Sequence, residues 1–328
     1  MKLKLLRRQF LHLAAGAAAI PVLSDMAAAQ AWPARPVRLI VPFPPGGTTD
    51  IFARIAAQKL SEHFGKQFYI ENIAGATGNV GAAQAARATP DGYTVLFTFS
   101  SYVVNPTLFP KLPFDPSKDL MPVTLAVAAT NVLTINPSVP ARTLGDLVAL
   151  IKSNPGKHNY ASGGVGTQAH LLGEMLRLSL ALDIVHVPFN GGGPEIASIV
   201  AGHTPIGWSA LVSAAQQIKA GQLLALAVAS KTRSTLFPEI PTTAEAGYPD
   251  IQGDSWVGVL VPAGTPNEII SLLHREMVTI LALPDVKERL PSLGFEVVAS
   301  TPGEFATQIK AEIESWAKVI RAANIKQD

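Results

Sequence analysis

Near its amino-terminal end the sequence reads PVRLIVPFPPGGTTDIFARIAAQKLSEHF over residues 36–64. Residues 36–42 are mostly apolar and predict a buried β-strand. A loop rich in proline and glycine follows over residues 43–49, and from residue 50 apolar side chains recur at helical spacing up to Phe64. A strand, a glycine-rich loop and an amphipathic helix in this order predict the first half of a βαβ unit.

The same order continues along the chain. Residues 67–73 and 93–99 predict a second and a third strand, with a helix of small residues over 79–88 between them. Such a βαβαβ run indicates an α/β fold with a parallel sheet and helices on its faces. The prolines of residues 103–122 predict an irregular crossing, and the apolar segment 125–135 predicts extended chain.

The second half of the chain continues the alternation. Strands are predicted to end at Tyr160-Ala161 and to cover residues 184–188, 223–230 and 256–261. Helices are predicted to start at Thr143 and Pro194 and to cover residues 168–180, 266–281 and 302–322. Thr143 with Asp146, and Thr301 with Glu304, have the spacing of helix capping boxes. The length of 328 residues and the irregular middle favour two α/β lobes over one continuous sheet.

Composition excludes several classes of function. Hydrophobic residues make up 48% of the chain and charged residues 15%, which allows a large core and argues against disorder. There is no cysteine, so disulfides, thiolate metal sites and cysteine nucleophiles are excluded. Four of the 26 Lys and Arg lie in residues 1–31, leaving 22 against 23 Asp and Glu in the remainder. The body of the chain is therefore almost neutral and lacks the basic character of a nucleic-acid-binding protein.

Residues 1–31 have the layout of a cleaved signal peptide. A positive segment over 1–8 precedes an apolar stretch over 11–23, and small residues at 27–31 offer cleavage sites. The apolar stretch is too short for a membrane span, so export to a bacterial periplasm is predicted. Arg7-Arg8 resembles a twin-arginine signal, which leaves the Sec and Tat routes both open.

Four glycine-rich loops, residues 43–49, 74–78, 162–167 and 189–193, each connect a strand to a helix. Helix N-termini carry unpaired N–H groups and partial positive charge, so such loops can bind an anion without Lys or Arg. The alternative interpretation is that the glycines only form tight turns. None of the loops has the Gly-Lys-Ser/Thr ending of a P-loop, and no G-x-G-x-x-G dinucleotide pattern occurs in them.

Signals for catalysis or metal binding are weak. The sequence contains neither a G-x-S-x-G nucleophile elbow nor an H-E-x-x-H zinc motif. His170, His186 and His203 fall in neighbouring elements, so a metal site remains an alternative, as does an exported hydrolase. Phe43 and Phe189 lie inside glycine-rich loops, where they could flank a ligand.

Taken together, six segments resemble the substrate-binding proteins of tripartite tricarboxylate transporters, the TctC or Bug family. They are residues 42–50, 72–79, 162–171, 187–193, 241–247 and 262–266. The resemblance implies a type II periplasmic-binding-protein fold, with two α/β lobes joined by two crossing strands near 128–136 and 250–256. Lobe one would contain residues 32–130 plus 255–328, and lobe two residues 131–254.

The resemblance also implies a function and a site. The protein would capture a small organic acid between its lobes, largely through main-chain N–H groups, and deliver it to a membrane permease of the transporter or to a sensor. It would act as a monomer, without enzyme activity, cofactor, metal or nucleic acid. The implied ligand-binding residues are Phe43, Gly46, Gly47, Thr48, Asp50, Ala76, Asn79, Ser100, Ser162, Gly163, Gly164, Gly166, Thr167, His170, Phe189, Asn190 and Ser209.

The segment 202–209 departs from the family pattern. Ser209 stands where some members carry an acidic residue that could meet an amine or hydroxyl group. This difference favours a ligand without an ammonium group, such as a dicarboxylate or an aromatic carboxylate.

Overall fold

The computed structural model describes residues 32–109, 111–322 and 325, so the predicted signal peptide lies outside the described residues. The strands are β1 (Val37–Val41), β2 (Phe68–Asn72), β3 (Thr94–Phe99), β4 (Leu120–Ala129), β5 (Asn131–Ile135), β6 (His158–Ser162), β7 (Ile184–Pro188), β8 (Ile206–Ala210), β9 (Leu224–Val228), β10 (Ser255–Pro262) and β11 (Phe295–Val297).

Ten α-helices accompany these strands in the described part of the chain. They are α1 (Thr48–Phe64), α2 (Asn79–Ala86), α3 (Ser101–Leu108), α4 (Leu144–Ser153), α5 (Gln168–Ser179), α6 (Gly192–Val200), α7 (Leu211–Lys219), α8 (Asn267–Ala282), α9 (Pro284–Ser292) and α10 (Pro302–Ala322). A single 3-10 turn, Ala76–Gly78, precedes α2.

The strands form two separate sheets. The first sheet has the order β11-β4-β10-β3-β1-β2, and the second sheet has the order β7-β6-β8-β5-β9. In the first sheet β1 is parallel to β2 and β3, whereas β10 is antiparallel to β3 and β4. In the second sheet β6 is parallel to β7 and β8, whereas β5 is antiparallel to β8 and β9. Both sheets are therefore mixed, with parallel βαβ units at one side of each.

The chain passes between the two sheets at two neighbouring places. One residue, Thr130, separates β4 of the first sheet from β5 of the second. The return lies between β9 and β10, and there the Asn131 amide donates hydrogen bonds to the Gly253 carbonyl and to Ser255 Oγ, both at 3.0 Å. These bonds tie the two connections together beside the junction of the sheets.

Each sheet has its own apolar core. The first sheet packs against α2, α3 and α10 through a cluster that includes Leu96, Val104 and Phe305. The second sheet has one cluster on each face; Trp208 lies in one and Ile199 in the other. Because both faces of a covered sheet are buried, its strands have continuous apolar sequences rather than alternating apolar and polar residues.

Most of the predicted elements are present within a few residues of their expected positions. Both capping boxes also form, with Asp146 N–H donating to Thr143 Oγ1 at 3.0 Å and Glu304 N–H donating to Thr301 Oγ1 at 3.2 Å. Helix α6 begins at Gly192, two residues before the predicted start.

The prediction of an irregular crossing over residues 103–122 was wrong in its first part. Residues 101–108 form α3 in spite of Pro106, and Leu120 already begins β4. Helix α3 buries Tyr102, Val103 and Val104 in the core of the first sheet, and that burial outweighs the hydrogen bond that a proline removes. The elements β8, α7, α9 and β11 had no counterpart in the sequence prediction.

Candidate ligand-binding cleft

The four glycine-rich loops meet in one cleft between the two sheets. The first cavity of the cleft admits the centre of a water-sized sphere over a volume of about 50 Å³, and a second cavity beside it over about 230 Å³. Phe43, Pro44, Gly163 and Gly191 line both cavities, so the two are continuous parts of one cleft. The loops of residues 43–49 and 74–78 come from the first sheet, and those of 162–167 and 189–193 come from the second.

Helix N-termini surround the first cavity. The residues that line it come from the starts of α1, α5, α6 and α7: Gly47, Thr48, Thr49, Thr167, Ala169, Gly191, Gly192, Gly193, Ala210 and Ser213. Helices α1, α6 and α7 begin without a side-chain cap, so their first N–H groups are not used by a capping side chain. The partial positive charges of four helix dipoles therefore converge on one small volume.

Neither cavity is lined by a Lys, Arg or His side chain of the described residues. Glu195 is the one ionisable residue among their lining side chains. Attraction for an anion must then come from backbone dipoles and hydroxyl groups rather than from formal charge.

Aromatic rings supply the apolar part of the cleft. Phe43 packs edge-on against Phe99, with ring centroids 5.9 Å apart and an interplanar angle of 78°. Both rings line the first cavity, and Phe189 lines the second. The carbon skeleton of a ligand would lie against these faces while its polar ends meet the helix N-termini.

At two positions beside the cleft, neighbouring atoms lie too close to the backbone for any residue larger than glycine. A Cβ on Gly192 would lie 2.8 Å from Ser213 Oγ. A Cβ on Gly191, where φ is +109°, would lie 3.2 Å from Pro44 Cδ across the cleft. Side chains at either position would separate the two walls or fill the space in front of the α6 N-terminus.

Asp50 supports the first loop from behind. Its carboxylate accepts hydrogen bonds from the Gly46 N–H at 2.9 Å, the Asn72 amide at 2.9 Å and the Arg54 guanidinium at 2.8 Å. Burial alone would raise the pKa of Asp50, but these hydrogen bonds outweigh burial and hold the pKa below its ordinary value. Asp50 and Gly46 therefore fix the loop and do not line either cavity.

Two stacked histidines support the third loop in a similar way. The rings of His170 and His186 are 3.9 Å apart and tilted by 15°. His170 Nδ1 accepts the Gly166 N–H at 3.1 Å, and His186 Nε2 lies 2.7 Å from Ser162 Oγ. Burial lowers the pKa of His170 to about 4 and that of His186 to about 3, so both rings are neutral at pH 7.

The Ser162–His186 contact joins a hydroxyl group to an imidazole nitrogen, as in a nucleophile and its base, but the hydroxyl group is not accessible from either cavity. Ser162 is fully buried, and the Gly164 N–H donates to the same hydroxyl oxygen. Ser162 lines neither cavity, so its hydroxyl group is not presented to a substrate there. The pair is best understood as part of the loop's support.

A metal site at the histidines lacks a third ligand. Within residues 32–109 and 111–322, no three His, Asp or Glu side chains are grouped as a metal ion would require. His170 and His186 do lie close together, but their rings stack face to face, so their nitrogen atoms do not point at one common metal position.

Asn79 and Ser100 lie beneath the second loop. The Asn105 amide donates to Asn79 Oδ1 at 2.8 Å and to the Thr77 carbonyl at 3.0 Å. Ser100 is buried nearby in the first sheet's core region. Neither Asn79 nor Ser100 lines the two cavities. Asn79 is linked to the 76–78 turn through Asn105, whereas the Ser100 hydroxyl group has no hydrogen-bond partner among the described residues.

Ser209 and Glu195 form a hydrogen-bonded pair, of which the sequence predicted only Ser209 as a site residue. Ser209 is fully buried on β8, and its hydroxyl group donates to Glu195 Oε1. Glu195 lies in the first turn of α6 and lines the first cavity, whereas Ser209 does not. Burial raises the pKa of Glu195 to about 8. An acidic side chain, that of Glu195, therefore lies beside position 209 and reaches the first cavity.

The structure therefore divides the predicted site residues into two sets. Those that line the cavities are Phe43, Gly47, Thr48, Ala76, Gly163, Gly164, Thr167, Phe189 and Asn190. Those that lie behind them are Gly46, Asp50, Asn79, Ser100, Ser162, Gly166, His170 and Ser209. The sequence prediction missed Glu195, Ala210 and Ser213. The start of α7 was missed because no glycine-rich loop precedes it.

Contacts between the two walls show that the cleft is closed. Thr77 Oγ1 donates to the Val165 carbonyl at 2.9 Å, and Thr48 Oγ1 lies 3.2 Å from Ser213 Oγ. Leu171 of α5 is fully buried in the apolar cluster of the first sheet, with Val165 packed beside it. Side chains of the second sheet's helices thus complete the core of the first.

The sequence of this chain matches a known family over most of its length. The family model described as "Tripartite tricarboxylate transporter family receptor" matches residues 52–325. The chain belongs to this family. Its members are solute-binding proteins, and the two-lobe periplasmic binding fold of this receptor is the one that the sequence resemblance implied.

Three relatives illustrate the similarity. Protein BugT of Bordetella pertussis is 36% identical over 318 residues, which cover 96% of each chain. A structure of R. palustris Rpa4515 with adipate is 32% identical, has a TM-score of 0.88 and covers 90% of this chain and 99% of that one. The structure of MatC from Rhodopseudomonas palustris with bound malate is 31% identical, with a TM-score of 0.83 and coverage of 88% and 100%.

None of the described helices is both long enough and apolar enough to span a membrane.

Proposed function

We propose that this receptor is a periplasmic solute-binding protein that captures a small carboxylate in the cleft between its lobes. Main-chain N–H groups of the glycine-rich loops hold the carboxylate, and the loaded protein delivers it to the permease of a tripartite tricarboxylate transporter or to a sensor. The observation that carries the proposal is the convergence of four helix N-termini on a cavity that no cationic side chain of the described residues lines.

The energetics are adequate for capture at low concentration. Micromolar affinity corresponds to about −8 kcal/mol. Hydrogen bonds to a charged group contribute about 1.5–3 kcal/mol each, so three or four N–H donors, less the ordering cost, reach that range. Burial of the ligand's carbon chain against Phe43 and Phe99 adds to this, at about 25 cal/mol per Å² of apolar surface.

The chemical class of the ligand is a small dicarboxylate or a related organic acid. The relatives described above hold adipate and malate, which both carry a carboxylate at each end of a short carbon chain. In this receptor, the N-termini of α1 and α6 face each other across the first cavity, and Phe43 extends into the second. Such a cleft can accept one carboxylate at the helix starts and the rest of the molecule along the aromatic faces.

Ligand capture would be accompanied by closure of two lobes about the paired connections. Lobe one comprises residues 32–130 plus 255–328, and lobe two comprises residues 131–254. The Asn131–Gly253 and Asn131–Ser255 hydrogen bonds support this division, because they lie where the chain passes between the sheets. Closure assembles both walls of the cleft and buries Leu171.

The proposal also covers location, partners and the absence of turnover. Residues 1–31 would direct export through the Sec or Tat route and be removed, and the mature monomer would bind its ligand reversibly without a cofactor. Membership of a family of solute-binding proteins supports binding without catalysis.

A binding screen tests this function. The mature chain, from residue 32, would be melted in the presence of mono-, di-, tri- and aromatic carboxylates, with divalent metals and EDTA as controls. A carboxylate at 100 times its dissociation constant should stabilise the protein by about 2.7 kcal/mol, a readily measured increase in melting temperature. A response to metal or EDTA with no response to any carboxylate would contradict the proposal. Mass spectrometry of the ligand before and after incubation would reveal any turnover.

A further inference from the structure

Glu195 is a buried acid on the wall of a cavity built for anions. Its side chain is 2% exposed, and one carboxyl oxygen accepts the hydrogen bond of Ser209. The other oxygen, Oε2, is directed toward Gly163, where an added Cβ would lie 3.4 Å away. Both Glu195 and Gly163 line the first cavity. Oε2 thus lies at the edge of the space that a ligand would occupy.

An ionised Glu195 would oppose the proposed function of the cavity. It lies in the first turn of α6, so its negative charge would cancel the partial positive charge of that helix N-terminus. It would also repel a ligand carboxylate held a few ångströms away. A neutral Glu195 removes both obstacles and leaves an O–H group that can donate to the ligand.

We propose that Glu195 binds the ligand carboxylate as a neutral acid, so that a proton is held at this residue whenever the ligand is bound. This inference rests on the proposed function. The proton lies on Oε2 and is donated to a ligand oxygen, while Oε1 accepts from Ser209. Ser209 is the positioning residue, because it fixes which oxygen is left to carry the proton.

The arrangement selects among organic acids. A ligand with a carboxylate, carbonyl or other acceptor at the Glu195 end gains a hydrogen bond from the neutral acid. A ligand with an ammonium group at that end would instead need ionised Glu195 as its partner. The neutral acid therefore favours simple carboxylates over amino acids and links their capture to pH.

No charged side chain on the described elements around Glu195 favours its ionisation. Titratable or charged side chains on the elements around it are Asp50, Arg54, Lys59, Glu62 and His63 on α1, His158 and Tyr160 on β6, His170, Glu174 and Arg177 on α5, Lys219 on α7, and His203 after α6. None of them contributes to the shift of the Glu195 pKa, which burial raises to about 8 in opposition to the Ser209 hydrogen bond.

The proposal predicts a defined pH profile. In the closed form, where burial raises the pKa of Glu195 to about 8, the acid is already neutral below pH 8, so ligand binding to that form changes little with pH. Above pH 8 a proton must be taken up on binding, and the association constant should fall about tenfold per pH unit. This fall continues until the pH reaches the higher pKa that Glu195 has beside a bound carboxylate.

Isothermal titration calorimetry of the mature protein with adipate, malate and benzoate tests this, from pH 6.5 to 9.5. At pH 8.5, titration in two buffers with different heats of ionisation counts the protons taken up per ligand bound. The variants are Glu195→Gln, whose amide donates a hydrogen bond at every pH, and Glu288→Gln, an exposed control on α9 with the same change of charge. Circular dichroism melts report whether each variant is folded.

The expected result is a loss of affinity for wild type and Glu288→Gln of about tenfold per pH unit above pH 8. A net uptake of protons by wild type should accompany it, whereas the affinity of Glu195→Gln should vary no more than about twofold over the range. If Glu195→Gln does not fold, the number of protons that wild type takes up per ligand bound tests the inference without the variant.

Two results overturn the inference in different ways. Carboxylate binding with a flat pH profile, or with release of protons, would show that Glu195 is not the neutral partner while leaving the proposed function intact. Failure of wild type to bind any of the three acids at any pH would contradict the proposed function and the inference together.

Discussion

Leu171 offers a direct test of whether closing the lobes is linked to ligand affinity. It lies on α5, which belongs with the second sheet, yet its side chain is fully buried in the apolar cluster of the first sheet. When the lobes separate, that side chain becomes exposed to water. Replacing it by alanine should therefore destabilise the closed form and leave the separated lobes almost unaffected.

The magnitude follows from the atoms removed. Leu→Ala deletes three carbons, and each buried CH₂ contributes about 0.8 kcal/mol, so the closed form loses about 2.4 kcal/mol. Incomplete relaxation around the hole can increase the loss to about 5 kcal/mol. Since 1.4 kcal/mol is a factor of ten, the closure equilibrium should shift by about 60-fold or more, and carboxylate affinity should weaken by up to the same factor.

Leu172 provides the matched control on the same helix. It is equally buried, but it packs in the cluster of the second sheet with Trp208 and Tyr160. Leu172→Ala should lower the free energy of unfolding of lobe two by about 2–5 kcal/mol and change affinity little. Calorimetric titration with adipate or malate, chemical denaturation and small-angle scattering distinguish the two variants. The reasoning is refuted if Leu171→Ala lowers stability as Leu172→Ala does while affinity is unchanged.

Three further variants test the walls of the cleft. Gly192→Ala should weaken carboxylate binding at least about tenfold in calorimetric titration, because the new Cβ would lie 2.8 Å from Ser213 Oγ; unchanged affinity would remove the α6 N-terminus from the site. Thr77→Val removes the hydrogen bond to the Val165 carbonyl and should cost about 1 kcal/mol of closure, seen as a roughly fivefold weaker affinity. Asp50→Asn should destabilise the protein in urea unfolding at pH 7 by about 1.5–3 kcal/mol. Since the folded pKa of Asp50 is lowered, this advantage of wild type is present above the unfolded pKa and is lost as the pH falls through the folded value; an equal difference at pH 7 and pH 3 would contradict it.

Local sequence patterns predict those parts of the fold that short-range interactions determine. The first three strands and both capping boxes could be recognised because periodicity and cap spacing act over a few residues. Helix α3 could not, because the proline signal of residues 103–122 is local while the burial of Tyr102 and Val104 depends on distant strands. Tertiary burial decided that segment against its local propensity.

The same distinction applies to the cleft. Glycine-rich loops predicted that the starts of α1, α5 and α6 would line a cleft, since glycine and position are visible in the sequence. The α7 N-terminus has only Ala210 before it, and its approach to the cavity depends on β8 lying in the middle of the second sheet. Glu195 looked like an ordinary acidic residue in a first helical turn, and only its direction and burial distinguish it.

A binding site without cationic side chains has a consequence for how ligand preference can change. In the proposed function, backbone N–H groups at the four helix starts hold the carboxylate, and these groups are positioned by the fold rather than by particular side chains. Discrimination must then come from the few side chains that reach the cavity, among them Phe43, Phe99 and Glu195. Exchange of Phe43 or Phe99 would alter which carbon skeleton fits while the N–H donors stay in place, whereas exchange of Glu195 would also remove the acid proposed to bind the carboxylate. Under the proposed function, the backbone would therefore supply most of the affinity for a carboxylate, and a small number of replaceable side chains would supply most of the specificity.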